Sequence, residues 1–428
     1  MIWIIIGVAV LMLFAGFEMF LVLGVPGYLI KLFYFDNLPD AVIVQKMVGG
    51  INHNLLLAIP FFLFAAEMMS GGRLATLLGN SAQSCFRRVR GGAAYAAIAS
   101  SMGFAAVSGS APAAVAALGR IIYPPLIRSG FRNQFSLGLI VSSAETALLI
   151  PPSISLIIYG WLTETSISRL FAAGLAIGIV LGLAFAVLVF VEVRRRGIEA
   201  EREFGSDPSK QVVTGTVWAL GMPAVILGGI YSGLFTATEA AAVSVVYAVF
   251  VEAVIFRTLT FPAFMRIAQR TAVMTSVIFM LLALGSIIAY FVILSGLPQA
   301  IIDFMSAIGA GPLLFLLIVN IVLIIAGMFI DPGTAQIILV PVLFPVAVSL
   351  GIDPVHFGLV VGLNVCLAMI TPPFGLDIFV AASTINNPVT EIISCVTPFI
   401  VVNLIVLLLI TYIPGLVTFL PNLMWGVR

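Results

Sequence analysis

The sequence predicts an all-α polytopic membrane protein made of two pseudo-symmetric repeats, each holding a re-entrant helical hairpin and a helix broken at a Pro-Pro pair. Three observations carry this reading. Only 9% of the 428 residues are charged and 62% are hydrophobic, with a mean hydropathy of +1.23. Soluble chains carry roughly 25% charged residues, so a water-facing surface of this size could not be covered and the exterior must face lipid. Long apolar runs recur along the whole chain. Two further apolar stretches are interrupted by Gly, Pro and Ser, and the interruptions repeat at a fixed spacing.

A spanning helix needs about 20 apolar residues. Runs of that length cover roughly 2–25, 51–70, 168–193, 213–233, 237–256, 273–295 and 394–420. With the broken stretches, this makes about eleven to thirteen hydrophobic elements in one membrane domain, 1–428. The first run lacks a basic leader and a small-residue cleavage site, so it reads as a span rather than a signal peptide. The loop from Glu192 to Lys210 holds Arg194, Arg195, Arg196, Arg202 and Lys210, and the positive-inside rule assigns it to the cytoplasm.

The broken stretches are 92–165 and 312–386. The first reads Ser108-Gly109-Ser110-Ala111-Pro112 and then Ile150-Pro151-Pro152-Ser153; the second reads Asp331-Pro332-Gly333-Thr334 and then Thr371-Pro372-Pro373-Phe374-Gly375. Unwound backbone at membrane depth leaves polar groups unpaired, at a cost of several kcal/mol each in lipid. Such breaks are tolerated inside the protein or beside a hydrated cavity, and they mark where function is expected. A shift of 221 carries Pro124 to Pro345, Gly130 to Gly351, Pro151 to Pro372, Pro152 to Pro373 and Ser110 to Asp331. The basic loop between the repeats is compatible with their being inverted.

Corresponding Gly/Pro-interrupted segments in two halves point to a transport site. Half-helix N-termini offer positive dipole ends to anions, and freed carbonyls coordinate cations. Hydroxyls of Ser108, Ser110, Ser153, Ser155, Thr334 and Thr371 add hard oxygens. The pattern reads as a pseudo-symmetric site for an anion with cations. Asp331 is the most informative acid, because ionisable residues inside membranes are rare and usually functional; a hairpin cap is its bland alternative. Glu239 after Thr238 reads as a helix cap. Glu18, Glu67 and Glu145 lack evident counter-charges, and Arg120, Arg128 and Arg132 are carboxylate clamps or surface charges.

Other classes fit less well. His53 and His356 have no second His at i+3 or i+4, and Cys85, Cys366 and Cys395 are scattered, so neither a metal cluster nor a disulfide framework is implied. No G-x-S-x-G or H-E-x-x-H motif suggests an intramembrane enzyme. A net charge of +1 gives no basic patch for nucleic acid. An ion channel remains an alternative, although filters usually come from symmetric oligomers of shorter chains.

At these same residues the chain resembles the large membrane (M, DctM-like) subunit of tripartite ATP-independent periplasmic (TRAP) transporters, from about 49 to about 400. The matching stretches are Leu56-Leu57-Ala58-Ile59-Pro60-Phe61-Phe62, the Ser108–Ala111 turn, Ile150-Pro151-Pro152-Ser153 and Thr238-Glu239-Ala240-Ala241-Ala242. They continue with Gly351-Ile352-Asp353-Pro354-Val355-His356-Phe357-Gly358 and Thr371-Pro372-Pro373-Phe374-Gly375. The resemblance implies an elevator-type transporter, with transport-domain repeats at 92–165 and 312–386. Scaffold and connecting helices then occupy 166–311, including the loop 192–212, and 387–428 is a C-terminal scaffold helix. It also implies sodium-driven uptake of a carboxylate, such as a C4-dicarboxylate, sialic acid or another sugar acid, across the bacterial inner membrane. The implied partners are a small four-helix membrane subunit, here a separate chain, and a periplasmic substrate-binding protein. Carried over, sodium (Na+) falls to Ser108, Ser110, Pro151, Asp331, Gly333, Thr334, Thr371 and Pro372. Substrate falls to Ser110, Ala111, Arg120, Ser153, Ser155, Phe374, Gly375 and Asp377. Asp377 departs from the neutral polar residue expected there, and an acid disfavours a carboxylate unless a cation compensates it. A standalone sodium/carboxylate symporter without a binding protein is the second reading.

Overall fold

The computed structural model describes residues 2–70, 73–198, 210–330 and 332–426, and every regular element among them is helical. The first half runs α1 (Ile2–Phe14), α2 (Met19–Tyr34), α3 (Asp40–Ile51), α4 (Ala58–Ser70), α5 (Arg73–Phe86) and α6 (Gly92–Ser108). It continues with α7 (Ala111–Arg128), α8 (Asn133–Ala144), a 3-10 turn at Glu145–Leu148, α9 (Ile154–Thr163) and α10 (Ile167–Arg196). The second half begins with α11 (Lys210–Tyr231), α12 (Ala237–Phe250), α13 (Phe261–Leu294), α14 (Leu297–Ala307) and α15 (Pro312–Phe329). It ends with α16 (Pro332–Ser349), α17 (Pro354–Ile370), α18 (Leu376–Ile385), α19 (Val389–Tyr412) and α20 (Pro414–Trp425).

Six helices among the described residues are long and apolar enough to cross a membrane, or seven if α3 and the arm Asn54–Ser70 that contains α4, bent by 56° at the break after Ile51, count as one span. Two sequence expectations are refined. The run 394–420 is divided, because Pro414 has no N–H to continue α19 and its ring crowds the preceding turn. The basic loop lies mostly outside the described residues; at its start Arg196 pairs with Glu192 one turn back.

Shifted by 221 residues, α7 falls on α16 at both ends, α8 falls on the start of α17, and α6 and α9 fall on α15 and α18 to within one residue. The same shift carries Asp40 to Phe261, so that α3 and α4 together correspond to α13. The turn glycines Gly130 and Gly351 take φ values of 87 and 74.

The halves interlock. Helix α7 packs on α18 while α16 packs on α9, so the outgoing arm of each hairpin is held by the helix after the other half's Pro-Pro turn. Helix α8 also packs on α19, and α17 on α10 and α19. Lipid tails are as apolar as these side chains, so close contact rather than the hydrophobic effect must hold the helices together. Helix α6 supplies it with buried Gly92, Ala93, Ala94, Ala96, Ala97, Ser100 and Ser101, which let neighbouring backbones approach. Larger side chains, among them Phe104, Tyr159, Phe185, Phe357 and Phe399, fill one continuous core.

Candidate functional site

Helix α6 ends at a two-residue turn. Gly109 closes it in the left-handed region at φ 59, and Ser110 is extended at φ −138 before α7 begins. A Cβ added to Gly109 would lie 2.3 Å from Pro152 O, so the first hairpin tip is seated backbone against backbone on the first Pro-Pro turn. Only glycine combines that torsion with that approach. Ser108 is buried, and its Oγ lies 3.4 Å from both the N and the O of Ser110. Ala111, the first residue of α7, is fully buried.

The turn that receives this tip is sealed: every residue from Ser136 to Ser153 is buried. Pro151 and Pro152 have no N–H, so Ala147 O and Leu148 O lose the donors that a continued helix would supply. Ser153 restores one of them. Its hydroxyl donates to Leu148 O at 2.5 Å and accepts from Leu156 N at 3.3 Å as the N-cap of α9.

The second tip is built differently. Ile330 is extended at the end of α15, and Asp331 lies outside the described residues. Gly333 and Thr334 stand in the first turn of α16, with Thr334 fully buried. Thr371 leaves α17 in extended backbone and donates its hydroxyl to Leu367 O at 2.5 Å. Pro373 offers no N–H to Met369 O, and that carbonyl faces Gly375, where an added Cβ would lie 2.8 Å away. Unlike the first turn, this one reaches the surface: Pro373 is exposed and Phe374 is 55% exposed, its ring 6.4 Å from that of Phe329.

The two half-sites touch through Gln336, whose Nε2 donates to Ser155 Oγ at 3.4 Å with both residues buried. Ser155 on α9 is therefore held against the second hairpin. Two candidates stand elsewhere. Arg120 is exposed about 15 Å along α7 from Ser110, and its Nε donates to Thr384 O at 3.0 Å in the last turn of α18. Asp377, in the first turn of α18, turns inward: it is fully buried and neither carboxyl oxygen has a hydrogen-bond partner.

Behind the second hairpin runs a chain of amides whose orientation follows from its far end. Thr411 donates its hydroxyl to Leu407 O at 2.6 Å, so it accepts from Asn320 Nδ2 at 2.9 Å. Asn320 Oδ1 then accepts from Asn364 Nδ2 at 2.8 Å, which leaves Asn364 Oδ1 unpaired. Asn364 and Gln336, whose Oε1 is also unpaired, line one small cavity of ≈ 10 Å³, room for about one water-sized species.

Residues 5–416 match the family model described as the DctM component of the tripartite ATP-independent periplasmic transporter. The chain belongs to that family. It is 37% identical over 402 residues to the C4-dicarboxylate TRAP transporter large permease protein DctM of Pseudomonas aeruginosa, covering 94% of this chain and 93% of the relative. It is 35% identical over 413 residues to the ectoine TRAP transporter large permease protein TeaC of Halomonas elongata, covering 96% and 97%. Among solved structures, the Alcanivorax borkumensis YdaH transporter matches with a TM-score of 0.62 over 87% of each chain at 13% identity, a likeness of fold.

In this DctM-family chain the sequence reading missed two features. One is the amide chain, signalled by Asn364 and Gln336 standing alone in apolar helices. The other is a cavity of ≈ 560 Å³ between α3, α9, α13 and α16, whose lining includes Gln45, Lys46, Trp161, Ser286, Tyr290 and Ile337. Lys46 Nζ stands 4.3 Å from the centroid of the Tyr290 ring, a cation–π distance. No short motif announces it, because its residues come from four separate helices.

Proposed function

We propose that this large permease is the carrier for sodium-coupled uptake of an organic acid across the bacterial inner membrane, receiving substrate from a periplasmic binding protein beside a small four-helix membrane subunit. The observation that carries the reading is the seating of the Ser108-Gly109-Ser110 tip on Pro152 O. It gathers hydroxyls and helix-end carbonyls at one dry turn, an oxygen-only donor set that suits an alkali cation. The corresponding segments Gly333, Thr334 and Thr371, with Asp331 from the sequence, supply the same chemistry in the second half. Anion binding falls between the two half-sites, near Ser153, Ser155, Phe374 and Gly375, with Lys46 a cation on the neighbouring cavity. The carboxylate class is supported by the relative named for C4-dicarboxylates, and the relative named for ectoine widens the range of small polar solutes.

Sodium coupling is also sensible on charge. Each charge moved across 100 mV is worth about 2.3 kcal/mol, so a dianion entering a negative interior needs more than two sodium ions to be drawn inward by the potential. The test is uptake of radiolabelled C4-dicarboxylates and sugar acids into proteoliposomes holding this chain and its small subunit. Uptake that requires both the binding protein and an inward sodium gradient supports the proposal. Uptake without the binding protein would indicate a standalone symporter, and uptake indifferent to sodium would refute the coupling.

A further inference from the structure

Two acids inside the molecule have no ion-pair partner among the described residues. Glu145, in the 3-10 turn before the first Pro-Pro pair, and Asp377, after the second, are both fully buried, and all four carboxyl oxygens lack a hydrogen-bond donor. They lie within Coulombic reach of each other and of Cys366. The Cys366 thiol is 3.6 Å from the backbone O of Glu145 and is directed there rather than at either carboxyl. The Asn403 amide turns to Glu145 from α19. Asn403 is itself fully buried; its Nδ2 donates to Phe399 O at 3.2 Å and its Oδ1 is unpaired. The four carboxyl oxygens and Asn403 Oδ1 are therefore buried acceptors, and the Asn403 amide N–H turned to Glu145 is a neutral donor that brings no compensating charge.

Among the described residues, the surrounding helices bring no counter-charge. Arg120 and Tyr123 on α7, Tyr159 on α9, Arg169 on α10, His356 on α17 and Glu391 on α19 all bond elsewhere. Tyr95 on α6 stacks on Phe86, Cys395 on α19 donates to Glu391 O, and Arg128 and Tyr412 are exposed. Glu192 and Arg194 to Arg196 stand at the far end of α10.

An ionised carboxylate in such a place costs far more than a paired one, and a group so placed is neutralised instead. Two carboxyls sharing one dry site cannot both ionise. A proton meets the need directly, since it turns one acceptor oxygen into a donor and asks for no coordination shell. We propose that Glu145 and Asp377 form a proton-binding pair within the carrier, separate from the hairpin tips, through which uptake responds to pH. The pH response rests on the uptake reading above; the proton site does not.

The deciding experiment is infrared spectroscopy of the substrate-free full-length chain in lipid nanodiscs at neutral pH, comparing wild type, Glu145→Gln, Asp377→Asn and the double variant. The expected result is a protonated-carboxyl carbonyl band in wild type that exchanges slowly with deuterium, changes in each single variant and is lost in the double. Absence of that band in wild type overturns the proposal even if neither variant folds. So does a band that survives the double substitution, or one that vanishes when sodium is added, which would assign the pair to the cation. In proteoliposomes, wild-type uptake should change several-fold between mildly acidic and mildly alkaline medium, and the double variant should give a flat profile. A flat wild-type profile, or an unchanged profile in the double variant, would refute the coupling of this pair to transport.

Discussion

Replacing Gly109 by alanine tests the seating of the first hairpin tip directly. The residue sits at φ 59, and the new Cβ would stand 2.3 Å from Pro152 O, a backbone atom that cannot rotate away. The left-handed torsion costs a non-glycine residue about 1–2 kcal/mol. Forcing an extra carbon into packed surroundings costs about 1–3 kcal/mol more. The docked tip is then disfavoured by about 2–5 kcal/mol, or roughly 30-fold to several-thousand-fold at 1.4 kcal/mol per decade. If docking assembles the cation site, sodium affinity should fall by a similar factor, read as the sodium dependence of thermal stability in nanodiscs, and uptake should fall with it. Gly130→Ala separates the two costs, because Gly130 has φ 87 with nothing within 4 Å of an added Cβ; it should lose only about 1–2 kcal/mol of stability. Gly228→Ala, in open space within α11, should be neutral or slightly stabilising. Wild-type sodium affinity in Gly109→Ala, or a loss no greater than in Gly130→Ala, would refute the argument.

Asp331→Asn should abolish most sodium-dependent uptake while leaving the protein folded, measured as initial rate against sodium concentration; an unchanged curve would reduce Asp331 to a cap. Asn364→Leu should destabilise the protein by about 1–3 kcal/mol, because Asn320 Oδ1 loses its donor. Adding Asn320→Leu should recover part of that loss, since removing both partners is cheaper than removing one; thermal unfolding of the four proteins checks this. Lys46→Ala should weaken the apparent affinity for a dianion more than for a monoanion, with Lys46→Arg retaining it, as judged by competition uptake.

The parts legible in the sequence were those governed by local rules. Proline removes a donor wherever it stands, so Pro151, Pro152, Pro372 and Pro373 announce broken helices whatever packs around them. The 221-residue spacing of those prolines and of Gly130 and Gly351 likewise gave the order of elements. What depended on partners was hidden. Arg120 reads as a carboxylate clamp on charge alone, yet the crossing of α7 with α18 delivers it to a helix C-terminus, where Thr384 O takes its Nε–H. Asp377 reads as part of the second turn, but the register of α18 turns it into the core while Phe374 and Leu376 face outward. The link from Gln336 to Ser155 joins opposite repeats and has no signature in either. The run 394–420 reads as a single span on hydropathy; the structure starts a new helix at Pro414.

The polar groups brought together near the turns also constrain the order of binding. Carbonyls at the breaks, the hydroxyls of Ser108, Ser153 and Thr371, the unpaired oxygens of Gln336 and Asn364, and the two buried acids present lone pairs far more than protons. An anion brought to such surroundings meets repulsion, and Arg120, the guanidinium that the family resemblance assigns to it, is engaged elsewhere. On the proposed function, cations must therefore bind first and convert an acceptor-rich site into one that attracts a carboxylate. Linkage makes this reciprocal: if sodium raises substrate affinity by a given factor, substrate raises sodium affinity by the same factor. Coupling of about 1–3 kcal/mol corresponds to roughly 5–150-fold, and the equality of the two factors, measured by titrating each ligand at low and saturating levels of the other, is the requirement this site chemistry imposes.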